Sequence, residues 1–187
     1  MAIRDIVVVD HPVLRKKAKK IEKVTPDIRR LVDDMIETMR AAPGVGLAAP
    51  QVGVNQRVIV VEYAEDEEKK GPPEGQEPKP IKKKLYAVVN PEITYRSEEI
   101  VEGGEGCLSI PGWMGLVERH RSIEVKGLNR SGGKFKLKAE GWLARIFQHE
   151  IDHLDGVLFV DRVMSPDRLW RTPPEAEPEK APAERLV

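Results

Sequence analysis

Apolar residues recur at helical spacing from Ile28 through Leu31, Val32, Met35 and Ile36 to Met39, so this stretch predicts an amphipathic helix of about four turns with one face on a core. Thr25-Pro26-Asp27 supplies its start: a hydroxyl cap, a proline at the first helical position and an acid in the first turn. Pro43-Gly44 ends it. A second helix is predicted from Gly141 to about Leu154, closed by Gly156 in a C-terminal capping position. It carries two stripes, Leu143, Phe147, Ile151 and Leu154 on one and Trp142, Ile146, His149 and His153 on the other, which predicts a helix surrounded by protein. Runs rich in Val, Ile and Tyr at Arg57 to Tyr63 and Leu85 to Asn90 read as strands. So do Ile93 to Ser97, Ser122 to Leu128 and Lys134 to Ala139, with Asn129 to Gly133 as a hairpin turn. Residues 64–84 are almost wholly Glu, Lys, Pro and Gly and cannot bury enough apolar surface to offset their ordering entropy. They predict a flexible charged insertion. The proline and glutamate run near the C-terminus predicts a disordered tail over 170–187, which leaves one domain over 1–169, and no internal repeat is visible.

A length of 187 residues suits one domain with a real core rather than two. The 31 basic residues cancel the 31 acidic ones, which argues against a function resting on bulk charge, such as nucleic-acid or membrane-surface binding. The N-terminal apolar run is broken by Asp10, and nothing near 18 consecutive apolar residues follows, so a soluble cytoplasmic protein is expected. Cys107 is the single cysteine and cannot form an internal disulfide; it is either a buried small hydrophobe or a functional thiolate.

The sharpest chemical signal is His149-Glu150-Ile151-Asp152-His153. Histidines four apart on a helix present both imidazoles to one metal from the same face. Glu150, rotated about a hundred degrees from His149, is close enough to handle a proton without being forced into coordination. A catalytic site of this type wants three protein ligands and an open position. The spacing through Gly156 invites a zinc endopeptidase reading, but that pattern's third histidine falls at position 159, where Phe159 stands. Cys107, in Glu105-Gly106-Cys107-Leu108-Ser109, offers a third ligand, since a thiolate beside two imidazoles is an accepted set for zinc or ferrous iron. A purely structural metal site is the non-enzymatic alternative, against which stands an acid, Glu150, that such a site has no use for. A third segment, Gly44 to Gln51, lacks a phosphate-loop pattern; it offers exposed backbone and the Gln51 amide, suited to binding a peptide and an oxyanion.

G-x-G-L-A-A-P-Q at 44–51, E-G-C-L-S at 105–109 and Q-H-E-x-D-H-L-x-G at 148–156, in that order, resemble the peptide deformylase family. The resemblance spans about 5–165, leaving out the insertion, and implies an α+β fold whose mixed, largely antiparallel sheets enclose the central metal-binding helix. It implies removal of the formyl group from N-terminal formylmethionine of newly made polypeptides, with Cys107, His149 and His153 as metal ligands and Glu150 as acid/base. Gln51 and the backbone N–H of Leu108 would stabilise the oxyanion, and Gly46 would help position the substrate. Ferrous iron is the metal the resemblance favours, with zinc, nickel or cobalt as substitutes. Formyl-Met nascent peptides are the implied substrate and the ribosome surface a candidate docking partner; a monomer is favoured. An apolar pocket formed in part by Trp142, Ile146 and Leu108 is expected to take the methionine side chain. The resemblance does not extend to the long C-terminal helix that some members carry, so none is expected here.

Overall fold

The computed structural model describes residues 2–64 and 83–172; the expected insertion, apart from its ends, and the tail from 173 onward lie outside the described residues. The first helix, α1 (Pro26–Ala41), starts as its sequence predicts: the Thr25 side chain accepts a hydrogen bond from the Ile28 N–H, and Pro26 occupies the first turn. The second, α2 (Gly141–Leu154), ends before Asp155 and Gly156. Gly156 has φ +77°, and a Cβ there would press on the Arg15 backbone, so this position needs both left-handed backbone and close approach.

Between the helices lies a five-stranded antiparallel sheet, in the order β1 (Gly46–Ala48), β2 (Val58–Tyr63), β3 (Lys84–Arg96), β6 (Ser122–Asn129) and β7 (Lys134–Glu140). Val58, Ile59, Val60 and Val61 are all fully buried, because helices cover both faces of this strand. Val58, Val60 and Val89 pack on α1 residues such as Val32, Met35 and Met39, whereas Ile59, Val61, Val88, Ile123 and Val125 pack on Leu143, Phe147 and Leu154 of α2. The α+β class and the enclosed second helix thus follow the expectation.

Two strands read separately from the sequence are one. Leu85 to Asn90 and Ile93 to Ser97 fall largely within β3, which carries register shifts between Val89 and Glu92 and between Ile93 and Tyr95. Asn90 takes φ +50°, and its side-chain amide both donates to the Ile21 carbonyl (2.7 Å) and accepts from the Ile21 N–H (2.9 Å), holding the bend while the strand continues. A second sheet was not predicted at all: β4 (Ile100–Cys107), β5 (Ile110–His120) and β8 (Leu169–Arg171), antiparallel in that order. Beyond Ile100 and Val101, β4 runs through Gly103, Gly104 and Gly106 with Glu102 and Glu105, a composition poor in strand formers. Trp170 and Arg171, expected to open the disordered tail, pair with Met114 and Trp113 in β8. Its pairing gains come from β5, which local composition does not show.

Among the described residues no helix is long and apolar enough to cross a membrane. Phe147, wholly buried and edge-on to Tyr86 at 5.6 Å between ring centroids, fastens α2 to the large sheet. Phe147→Ala is expected to lower unfolding free energy by roughly 3–5 kcal/mol, measured by urea titration followed by circular dichroism.

Candidate metal centre

Helix α2 sets His149 and His153 one turn apart, ring centroids 5.0 Å from each other. Cys107 comes from the other side, at the last position of β4, where a register shift after Gly106 precedes the tight turn into β5. The N-terminal segment straps this turn down: the Val9 N–H donates to the Ser109 carbonyl (2.8 Å) and the Val7 N–H to that of Gln51 (2.9 Å). The Cys107 Sγ lies 3.3 Å from His153 Nε2, and donor atoms of Cys107, His149 and His153 all fall within 4.8 Å of one another. Tetrahedral bonds of about 2.0–2.3 Å put neighbouring ligand atoms about 3.3–3.8 Å apart, so the donor set suits a divalent ion.

The sequence placed Glu105 beside the cysteine without assigning it a role, and the structure supplies one. Its Oε2 accepts from His149 Nδ1 at 2.9 Å, which leaves the other ring nitrogen available as a ligand. The same carboxylate accepts a two-pronged bond from Arg119 (2.9 Å each) and a further one from Arg145 (2.9 Å). Arg119 also reaches Asp152, which in turn pairs with Arg162 at 2.7 Å. Phe159, which excluded a third histidine from that position, is 1% exposed and stacks on the His149 ring.

Charge at the centre is unevenly distributed. Burial pushes Glu105 up, but its bonds to Arg119 and His149 outweigh this and hold its carboxyl well below the ordinary range. Burial also opposes a charge on His149, yet its bonds to Cys107 and Glu105 and the nearby Glu150 raise it well above the usual histidine value. Burial and the neighbouring His149 lower His153 well below it. His149 thus lies where Cys107, Glu105 and Glu150 favour positive charge, whereas burial and His149 itself oppose it at His153. Glu150 is 4% exposed, and burial, reinforced by the Glu105 charge, pushes it up to about 7. Its Oε2 has no hydrogen-bond partner, and a Cβ at Gly46 would collide with the Glu150 carboxylate. The family resemblance implies a part for Gly46 in substrate placement, and its bare backbone also makes room for the acid.

Gln51 is 2% exposed. Its carbonyl accepts from the Ala48 N–H (2.8 Å), so its amide is turned outward, donating to Ser109 Oγ (3.3 Å) and reaching Cys107 Sγ (3.5 Å). Gly46, Gln51, Cys107, Leu108, His149 and Glu150 all line one cavity of about 780 Å³, continuous with Trp142 and Ile146, while His153 lies behind it. All seven residues expected at the site thus gather around one place. Sequence reasoning missed Glu105, Asp152, Arg119 and Arg145: the first two stood inside quoted motifs, whereas nothing distinguished the two arginines from solvated ones.

The polypeptide deformylase family model matches residues 3–169 of the chain. A peptide deformylase of Symbiobacterium thermophilum is 53% identical over 162 residues, covering 87% of this chain and 67% of that protein. One of Thermus thermophilus is 50% identical, covering 84% and 80%. The crystal structure of the Ehrlichia chaffeensis peptide deformylase in complex with actinonin superposes with a TM-score of 0.77 at 41% identity, over 90% of this chain and 92% of that one.

The raised Glu150 carboxyl makes a stability prediction for the metal-stripped protein. The folded state binds this proton more tightly than the unfolded state, so the buried charge destabilises nothing below about pH 4.5 and acts in full above about pH 7. Glu150→Gln is expected to match wild type near pH 4.5 and to exceed it by roughly 1–3 kcal/mol at pH 8 in urea unfolding. Equal stabilities at pH 8 would contradict it.

Proposed function

The chain belongs to the peptide deformylase family, and on that premise we propose that Cys107, His149 and His153 hold its metal, with Glu150 as the acid/base. The family's reaction is this chain's: hydrolytic removal of the formyl group from the N-terminus of newly synthesised polypeptides, releasing formate and a free amine. The observation that carries the site assignment is the convergence of one sulfur and two imidazoles beside an unpaired, buried carboxylate. Cys107, His149 and His153 would hold a divalent metal, which would supply Lewis acidity toward the formyl carbonyl and toward water at neutral pH. Glu150 accepts the proton of the attacking water at its free carboxylate oxygen and delivers it to the departing amine nitrogen. A carboxyl poised near 7 can do both, and burial is what brings it there. Gln51 Nε2 and the Leu108 N–H donate to the carbonyl oxygen as it gains negative charge; removing one such donor typically costs roughly a hundredfold or more in rate. Glu105 keeps the His149 ring in one tautomer and orientation. Gly46 leaves open backbone against which the formyl-Met residue can lie, and Trp142, Ile146 and Leu108 give its side chain an apolar wall.

The reading includes ferrous iron as the native metal, with zinc, nickel or cobalt as substitutes, because the mixed sulfur and nitrogen set accepts each of them. It also includes a cytoplasmic monomer acting on nascent chains at the ribosome surface.

Release of free amine and formate from formyl-Met peptides, with metal content measured on the same sample, is the direct test. Glu150→Gln should keep its metal and lose at least about a hundredfold in turnover. Cys107→Ala should lose both, and full metal occupancy in that variant would remove Cys107 from the site. A second set of measurements addresses the metal. The iron form should lose activity in air through oxidation of iron or Cys107, whereas nickel and cobalt forms should retain it. Assays of each form with and without oxygen, tracking the mass of the Cys107 peptide, check this; an air-stable iron form less active than the zinc form would overturn the iron assignment.

A further inference from the structure

Arg145 sits on α2 one turn before His149, yet it is 4% exposed and points at the small sheet rather than at solvent. Its guanidinium donates to the carbonyls of Val101 (2.7 Å) and Gly103 (3.3 Å) on β4, to that of Val117 (2.7 Å) on β5, and to Glu105 Oε1 (2.9 Å). The place for it is built in. A Cβ at Gly103 would lie 3.0 Å from the guanidinium carbon, inside ordinary contact, so a side chain there would press on the fork. Burying an arginine in this way is costly unless its donors find acceptors, and here four acceptors meet its Nη1 and Nη2 groups.

These contacts join the two elements that carry the candidate ligands. Cys107 ends β4, and both histidines project from α2. Glu105, two residues before Cys107 on β4, already holds the His149 ring from one side, and Arg145 holds Glu105 and the strand beneath it from the helix that carries His149. We propose that Arg145 is a positioning residue for the metal centre: it fixes the distance between Cys107 and the two histidines by clamping β4 to α2. Resting on the ligand assignment above, this role acts through Glu105 and the β4 backbone, although the Arg145 side chain also borders the cavity.

Three variants separate this from a general packing role. Arg145→Met keeps most of the side-chain stem and removes every donor; Arg145→Lys keeps the charge and loses the fork; Gly103→Ala leaves Arg145 in place and crowds it. Metal affinity is read by competition with a chromophoric chelator, alongside kcat and KM on a formyl-Met peptide and thermal unfolding. Arg145→Met is expected to weaken zinc affinity roughly 10–100-fold, the range for partners that orient ligands, and to lower kcat with KM within about twofold. Arg145→Lys should recover part of both, and Gly103→Ala should shift metal affinity in the same direction by a smaller factor. A lowered melting temperature with wild-type metal affinity and kcat would overturn the proposal, as would a change confined to KM. If Arg145→Met does not fold, the Lys and Ala variants decide it, and unchanged metal affinity in both would refute it. Wild-type protein in the same assays tests the ligand assignment separately: failure there, with no metal bound, would overturn that assignment and this proposal together.

Discussion

A carboxylate that keeps its charge out of water governs the arrangement of this centre. Glu105 is 5% exposed, and burial alone would drive it to the neutral acid; two arginines and one imidazole pointed at its oxygens reverse that balance. Those donors come from two elements, Arg119 from β5 and both Arg145 and His149 from α2, against Glu105 itself on β4. A buried ion network of this kind is weak evidence for high stability but strong evidence for one geometry, since displacing any partner leaves an uncompensated charge worth roughly 3–5 kcal/mol. The small sheet and the second helix are therefore held together by charge where the large sheet and the same helix are held by apolar contact.

Two carboxylates lie close together with opposite tendencies. Glu105 is surrounded by donors and stays ionised well into acid; Glu150, on the next position of the helix after His149, has an oxygen with no partner and is pushed up to about 7. Environments that force neighbouring acids apart in this way are how one site obtains a fixed anion and a mobile proton. The division is made by geometry: the arginines reach one side of His149, while the bare backbone of Gly46 and the cavity occupy the other. An arginine near Glu150 would abolish the difference and, with it, the means of moving a proton near neutral pH.

The fold serves this by giving α2 four different surroundings. Leu143, Phe147 and Leu154 meet the large sheet; Arg145 meets the small one; His149 and Glu150 face the cavity; Asp152 meets Arg119 and Arg162. Such a helix has no solvent face of any width, which is why 11 of its 14 residues, among them Arg145, Gln148, Glu150, Asp152 and His153, are buried. Among these polar side chains the fully buried atoms with no hydrogen-bond partner are Glu150 Oε2 and His153 Nδ1; the former is the oxygen proposed to handle the proton.

Both helices, the large sheet apart from β1, and the three chemical segments were legible in the chain because their signals are local. Helical period, a capping threonine and proline, alternating or continuous runs of Val and Ile, and histidines four apart each need only a few neighbouring residues to be read. The small sheet was not, because β4 and β8 owe their existence to pairing with β5, and a glycine- and glutamate-rich stretch carries no strand signal of its own. Nor were Arg119 and Arg145: in a chain with 31 basic residues an arginine looks the same whether it will be solvated or buried. Which of them would meet Glu105 was set by the packing of β5 and α2 against β4, over separations of 14 and 40 residues. Residue types and spacing were thus enough to name the candidate ligands and the acid, whereas their charge states, and the way three distant segments are held around one point, came from burial and long-range contact, which a linear pattern does not encode.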